Sequence, residues 1–368
     1  MADRIRVGIV GATVTPGGSG WGANAHIPAL RALPDFEIAA VCTAHEDTAR
    51  ASAAAFGARL AFHNIEEMVA HPEVDLVVVC VRVPWHHDLV MAGLRAGKPV
   101  FCEWPLGANL AEAEAMAALA REKSLRTVVG LQGRSDAAVR YAHDLVAEGA
   151  IGEVLTANLS LMSAATWERG AGRLWQGQRV NGANTLTISG GHGIDTLCAI
   201  LGEFAEVSAR VTTRVPEWFD TDAGKPVAVD APDSISIAGR LVRGGEVAIQ
   251  VAAVPVSPSG GRLEIYGREG TLMITAAGGL SIGPNRLYAA KRGEAAAEMP
   301  VPDRYTIVPE GTPAGSPRNV AQAYAGLADA FAGKPAAVPD FDLAVTRHRL
   351  IDAIERSSNE GRSVTVDV

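Results

Sequence analysis

Cysteine is scarce in this chain, with four residues in 368, at Cys42, Cys80, Cys102 and Cys198, and no C-x-x-C pair among them. That excludes a disulfide framework and a cysteine-built metal site, and three of the four end apolar strand-like runs, so all four read as reduced core residues. Positive charge is short as well. Lys plus Arg number 33 against 41 Asp plus Glu, a net charge of -8, and without a basic block to track phosphate backbones nucleic acid is excluded as a direct ligand. No apolar span reaches 18 residues, and the start MADRIRVGIVGA lacks the three regions of a signal peptide, so the expectation is a cytoplasmic protein without a membrane partner. No His/Cys/Asp/Glu cluster has ligand spacing, and no metal is implied.

What is present is enough length and apolar residue for two cores: 368 residues, 48% hydrophobic and 20% charged, which favours two domains. Residues 5–10, 36–42, 76–81, 100–103 and 127–129 are β-branched apolar runs, each followed by an Ala/Leu-rich stretch of helical period. That alternation predicts an α/β domain over 1–130, a doubly wound parallel sheet of Rossmann type with ligands at the carboxyl ends of its strands. After residue 149 the runs 154–162, 207–213, 234–241, 247–254 and 263–266 follow one another without helices between them. An α+β domain over 131–368 is expected, built on a large open, mainly antiparallel sheet with helices on one face. Val320, Tyr324, Leu327 and Phe331 recur at helical spacing, as do residues within 341–356, and these last helices are candidates to pack back on the first domain. A sheet with one uncovered face predicts a homodimer or homotetramer.

The first strand runs into Gly8-Ile9-Val10-Gly11-Ala12-Thr13, then a glycine-rich stretch at 16–22 containing Gly20 and Trp21, then a helix opening near His26. A strand, a glycine turn and a helix start make a pyrophosphate site: glycine permits close approach, and the free amides and dipole favour the negative charge. The fingerprint G-x-G-x-x-G is broken, because Thr13 stands at its second glycine. At the end of the second strand, Cys42-Thr43-Ala44-His45 offers no acid for a ribose 2′-hydroxyl, and with Arg50 nearby a 2′-phosphate is not repelled. The expected cofactor is therefore NADP, with NAD open through Glu46 or Asp47. Thr43 has the alternative role of capping the next helix.

The stretch Val81-Arg82-Val83-Pro84-Trp85-His86-His87, followed by AGLRAGKPVFCEWPLG at 92–107, resembles the glucose–fructose oxidoreductase/inositol dehydrogenase (Gfo/Idh/MocA) family. Gln132-Gly133-Arg134, EGAIGEV at 148–154, GGHGID at 190–195, LEIYGREGTLMI at 263–274 and SSNEGRSVTV at 357–366 follow in that family's order, so the resemblance spans the chain. It implies cofactor contacts at Val81, His86, Glu103, Trp104 and Gln132. Two family residues are missing. The lysine of Glu-Lys-Pro, beside the nicotinamide and the substrate carbinol, is Trp104 here, and the aspartate four residues before His192 is Ile188. These changes, with the long glycine loop and LQGR at 131–134, resemble the branch containing the fungal galactose-regulon repressor, a regulator that binds a dinucleotide.

Hydride transfer to or from a carbinol needs a group that exchanges the hydroxyl proton near working pH. Lys98 precedes its strand and lies at the wrong end, which leaves His192, whose ordinary pKa of about 6.5 suits either direction. The alternative is a helix-start histidine bonded to backbone, with Asp195 as partner or cap. Trp104, Arg134, Trp175, His192 and Asp195 are the candidate substrate contacts. Trp104 offers a flat face to a ring or fills space, Glu103 holds the ribose or caps the helix near 109–111, and Arg134 reaches the cleft or pairs at the surface. The tryptophan-bearing segment 166–179 is placed to roof the cleft or to clamp another subunit. Two functions remain: an NAD(P)-dependent oxidoreductase acting on a small, carbohydrate-like hydroxyl or carbonyl compound, and a non-catalytic NAD(P)-sensing regulator.

Overall fold

Strands that are apolar on both sides must be covered on both, and the N-terminal residues meet this with a parallel sheet between helices. The computed structural model describes residues 4–14, 20–336 and 338–367. Its first sheet is built from β1 (Ile5–Val10), β2 (Phe36–Cys42), β3 (Leu60–Phe62), β4 (Leu76–Val79), β5 (Val100–Glu103) and β6 (Thr127–Gly130), in the order β3-β2-β1-β4-β5-β6. Every pairing is parallel. The order reverses between β1 and β4, the switch point at which such sheets bind ligands. Crossovers are made by α1 (Ile27–Ala32), α2 (Glu46–Phe56), α3 (Ile65–Ala70), α4 (His86–Arg95) and α5 (Leu110–Glu122). Residues 16–19 of the glycine-rich stretch lie outside the described residues.

The second sheet has nine strands: β7 (Val154–Ala164), β9 (Phe204–Thr212), β12 (Ser234–Leu241), β13 (Glu246–Val254), β14 (Gly260–Gly267), β15 (Gly270–Ala276), β16 (Arg286–Lys291), β17 (Ala297–Glu298) and β18 (Val364–Thr365). It is mixed, because β7 and β13 pair in parallel while the other neighbours are antiparallel. Strict alternation marks its half-covered state: in β12 and β13 the residues Ile235, Ile237, Val247, Ile249 and Val251 are buried, while Ser236, Ala238, Ala248 and Gln250 face outward. Helices α6 (Ala137–Ala147) and α8 (Gly191–Leu201) belong to this part of the chain. In the tryptophan-bearing segment 166–179 between them, β8 (Glu168–Arg169) and α7 (Ala171–Leu174) precede α8, and β8 joins the hairpin of β10 (Glu217–Asp220) and β11 (Lys225–Ala228) in a small sheet of its own.

By backbone contacts the chain falls into two units, the first comprising 1–130 with 307–345 and the second 131–306 with 346–368. The chain's end is thus shared. Helix α9 (Ser316–Phe331) packs on α1 in the first unit and gives its core Val320, Ala321, Tyr324 and Leu327. Helix α10 (Phe341–Glu360) contributes Phe341–Val345 to the first unit and the rest to the second. No helix among the described residues is long and apolar enough to cross a membrane.

The start of α5 shows how local chemistry sets an element's bounds. Asn109 accepts a hydrogen bond from the Glu112 amide at 3.0 Å, and Glu112 in turn accepts from the Ala108 amide at 2.8 Å, so two otherwise unpaired helix-start donors are satisfied reciprocally. Asn109 is exposed, which leaves capping as its contribution. Asn109→Ala is therefore expected to cost about 1 kcal/mol, read by urea denaturation, and Asn109→Ser to cost less than half of that. Equal stability for Ala and Asn would show that the cap is not what starts this helix.

Candidate functional site

In the first unit, β1 is followed directly by Gly11, with φ of +93°. A Cβ there would stand 2.5 Å from the Cys80 carbonyl oxygen and 2.7 Å from Val81 Cγ1, so only glycine fits. Gly22 is equally tight, since its Cβ would lie 2.9 Å from the Ala12 Cα. These two glycines bring the strand end and a helix start together. The helix opens with a π turn, Gly22–His26, continuous with α1, and its first N–H groups and positive dipole end suit a pyrophosphate. Thr13 and Gly20 border this turn, and the Trp21 indole N–H is buried with no hydrogen-bond partner among the described residues. The site therefore keeps the backbone cradle that a dinucleotide needs.

At the tip of β2, Thr43 Oγ1 bonds the His45 carbonyl at 2.9 Å and Thr48 Oγ1 at 2.6 Å. His45 occupies the N-cap of α2 without a side-chain cap bond, so Thr43 is not the cap the sequence allowed for. Glu46 pairs with Arg50 along the helix, which directs its carboxylate down α2 and takes up part of the arginine's charge.

At the tip of β5, Glu103 is buried, and its Oε1 lies 2.9 Å from His26 Nε2, while His26 Nδ1 lies 2.7 Å from the Tyr324 hydroxyl. The carboxylate fills the space a Cβ on Gly130 would need, 2.4 Å away. Glu103 thus does not cap α5, where Asn109 acts, and His26 is a member of the site that sequence reading passed over. The next residue, Trp104, is 4% exposed and precedes a cis peptide to Pro105. His86 is also buried, with Nδ1 2.8 Å from the Pro105 carbonyl and Nε2 3.1 Å from that of Val81. Burial pushes its pKa down, against the pull of these carbonyls. Through these two carbonyls His86 holds the Trp104–Pro105 loop beside the end of β4. Lys98 donates to the Val74 carbonyl at 2.7 Å, before β4 begins, at the sheet's amino edge. Burial raises the thiol pKa values of Cys80 and Cys102 well above the usual range, and that of Cys42 to about 11, so these cysteines are inert thiols.

In the second unit, His192 sits on the first turn of α8, directly after a π turn at Leu186–Gly190. Asp195 lies one turn on and is 1% exposed. Its carboxylate is taken by Arg134, whose Nε lies 2.9 and 2.8 Å from the two oxygens, and by Arg347 Nε at 3.2 Å. Arg347 is fully buried and continues to Glu203 through two further bonds, at 3.0 and 2.9 Å. Burial opposes the Arg347 charge, but its acceptors Cys198, Asp195 and Glu203 outweigh this and hold its pKa above the usual value. Arg134 is therefore neither a surface ion-pair residue nor free for a ligand through the Asp195-facing edge. Gln132 is 3% exposed, and its Oε1 has no partner among the described residues. Trp175 is half-buried, its carbonyl accepting from Asn181 at 2.6 Å.

Removing one member of a buried ion network leaves an uncompensated charge, which costs about 3–5 kcal/mol. Arg347→Met is expected to lose that much in denaturant unfolding, because Asp195 and Glu203 both depend on it, and Arg134→Gln to lose less because Arg347 remains. A loss under about 1 kcal/mol for Arg347→Met would contradict this reading of the network.

Comparison with known proteins agrees with the two halves. Residues 5–131 match the model of the oxidoreductase family with an NAD-binding Rossmann fold, and residues 137–276 match that of the Gal80p C-terminal domain. The dehydrogenase aclE of Aspergillus oryzae is 31% identical over 98% of both chains. The structure of a super-repressor mutant of Gal80p from Saccharomyces cerevisiae superposes with a TM-score of 0.86 at 23% identity over 98% of both chains. Levoglucosan dehydrogenase in complex with NADH and L-sorbose gives 0.83 at 21% identity over 99% of both. The full-length match to aclE, together with the two family models, places the chain in the NAD-binding Gfo/Idh/MocA oxidoreductase family, with a second half of the Gal80p C-terminal kind.

Proposed function

We propose that this protein is an NAD(P)-dependent oxidoreductase that moves a hydride between the nicotinamide and a hydroxyl or carbonyl carbon of a small, carbohydrate-like molecule. The observation that carries this is the Gly11/Gly22 cradle at the carboxyl end of β1, where strand and helix start approach too closely for any side chain. Gly11, Thr13, Gly20 and Trp21 hold the pyrophosphate, and Thr43 and His45 accept the 2′-phosphate of NADP, as no acid stands at residues 42–45. The bound nicotinamide supplies the hydride acceptor or donor. Glu103, fixed by His26, orients the ribose, and His192 exchanges the hydroxyl proton, since neither Trp104 nor Ile188 carries a titratable group. The dehydrogenases among the relatives, aclE and levoglucosan dehydrogenase, support this reading.

A second reading, a dinucleotide-sensing regulator without turnover, is favoured by one feature: both positions at which the family carries its charged catalytic residues are apolar here, alongside the Gal80p-type second half. The two are separated by cofactor oxidation and reduction assays against sugars, polyols and dihydrodiols. We expect turnover, a lower Kd for NADP than for NAD, and a fall of about 10²–10⁴ in kcat for His192→Asn with dinucleotide affinity unchanged. Dinucleotide binding without turnover of any compound, together with nucleotide-dependent capture of a protein partner, would instead establish the regulator.

For assembly we propose a homodimer or dimer of dimers through the outward face of the nine-stranded sheet, whose Ser208, Ser236, Ala238 and Ala248 are small enough for close approach of another copy. Sedimentation equilibrium is expected to give a dimer or tetramer at micromolar concentration, and Ala248→Arg to shift it toward monomer. A wild-type monomer rules this assembly out.

A further inference from the structure

The second unit contains a cleft of about 230 Å³ whose lining includes Trp167, Arg169, Gln176, Ile188, Trp218 and Asp233. Arg169 dominates its chemistry. The guanidinium lies over the Trp218 ring, 4.1 Å from the centroid, and that indole is wedged against the backbone of Gly177, where a Cβ would come within 3.1 Å of it. Arg169 Nε donates to the Thr166 carbonyl at 3.0 Å and Nη1 to Gln176 Oε1 at 2.7 Å. A guanidinium has five N–H donors. These bonds use two, leaving one on Nη1 and both on Nη2 without a protein partner among the described residues.

The charge is equally unmet. Arg169 forms no ion pair among the described residues, although it is half-buried. Burial, and then the neighbouring positive charge of Arg173, push its pKa down, the opposite of what a nearby carboxylate would do. The acid in the lining, Asp233, is committed elsewhere, accepting from the Arg214 amide at 2.8 Å and the Val215 amide at 2.9 Å. A cation that is partly desolvated, held rigidly by stacking and two hydrogen bonds, and still presenting a free planar fork is arranged for a bidentate anion. The walls beside it carry the indoles of Trp167 and Trp218 and small apolar side chains, which suit a ring, together with hydroxyl and amide side chains such as Ser163, Asn184 and Ser189.

We propose that this cleft binds a small ring-bearing carboxylate, its two oxygens on the free edge of Arg169 and its ring against Trp167 and Trp218. The claim concerns binding within the second unit and does not depend on hydride transfer. It is tested on the full chain by tryptophan fluorescence and calorimetry with benzoate and cyclohexanecarboxylate against benzyl alcohol and cyclohexanol, with no dinucleotide present. The acids are expected to bind saturably and at least tenfold tighter than the alcohols, as a charge-assisted bidentate pair provides. Arg169→Gln should abolish that preference, and Arg169→Lys should keep only part of it, since the fork is lost. Gln176→Glu, which supplies an internal carboxylate to Nη1, should also suppress acid binding, and it tests the site if Arg169→Gln does not fold. NADP affinity, measured separately, should be the same in all variants, so failure here and failure of the nucleotide site are told apart. Alcohols binding as tightly as acids, an acid preference retained in Arg169→Gln, or no saturable binding of either acid would overturn the proposal.

Discussion

A carboxylate buried at the end of a parallel strand has to be paired, because an isolated charge there costs several kcal/mol. Glu103 meets this through His26, and His26 through Tyr324. The three residues come from β5, the π turn before α1, and α9, so a single polar chain fixes three elements of the first unit with respect to one another. Phe101 and Tyr324 close on the imidazole edge-on, with ring centroids 5.3 and 5.6 Å away. This explains why 307–345 belongs to the first unit: without α9 the His26 ring would lose both its hydroxyl partner and part of its apolar wall. It also accounts for Gly130, whose missing side chain is the space the carboxylate occupies. The cradle at Gly11 and Gly22 inherits its geometry from the same anchoring, since the π turn that begins at Gly22 ends at His26.

How much of this was legible in the sequence follows from the range of the interactions involved. The parallel strands are local signals, continuous apolar runs bounded by turns, and β1, β2 and β5 stand where the runs do. β3 was missed because three residues, none of them buried, carry no period. The parallel pairing of β7 with β13 was missed for another reason: alternation along a strand says which face is buried but not which neighbour it joins or in which direction. The π turns before α1 and α8 have no one-dimensional pattern at all. The site shows the same divide. Gly11, Glu103, Arg134 and Asp195 are visible as motif residues, but their partners are distant, with His26 lying 77 residues from Glu103 and 298 from Tyr324, and Arg347 lying 152 from Asp195. Helical spacing offers Asp195 as a partner of His192 or as a cap, and it cannot show the two arginines, 61 and 152 residues away, that bind the same carboxylate.

Positions 104 and 188, both apolar, lie in different units and in different surroundings. At position 104 an ammonium would enter a nearly closed environment, 4% exposed as tryptophan, next to a glutamate already engaged by His26. Such a lysine would need a counter-charge that Glu103 no longer offers in full, whereas an indole fills the space without one. At position 188 the opposite sign applies. An aspartate there would add a carboxylate to the lining that also holds Arg169. Isoleucine adds no charge to that lining. The two apolar residues thus stand in different electrostatic settings: Trp104 follows a glutamate already paired with His26, whereas Ile188 shares a cleft lining with a guanidinium that has no ion-pair partner among the described residues.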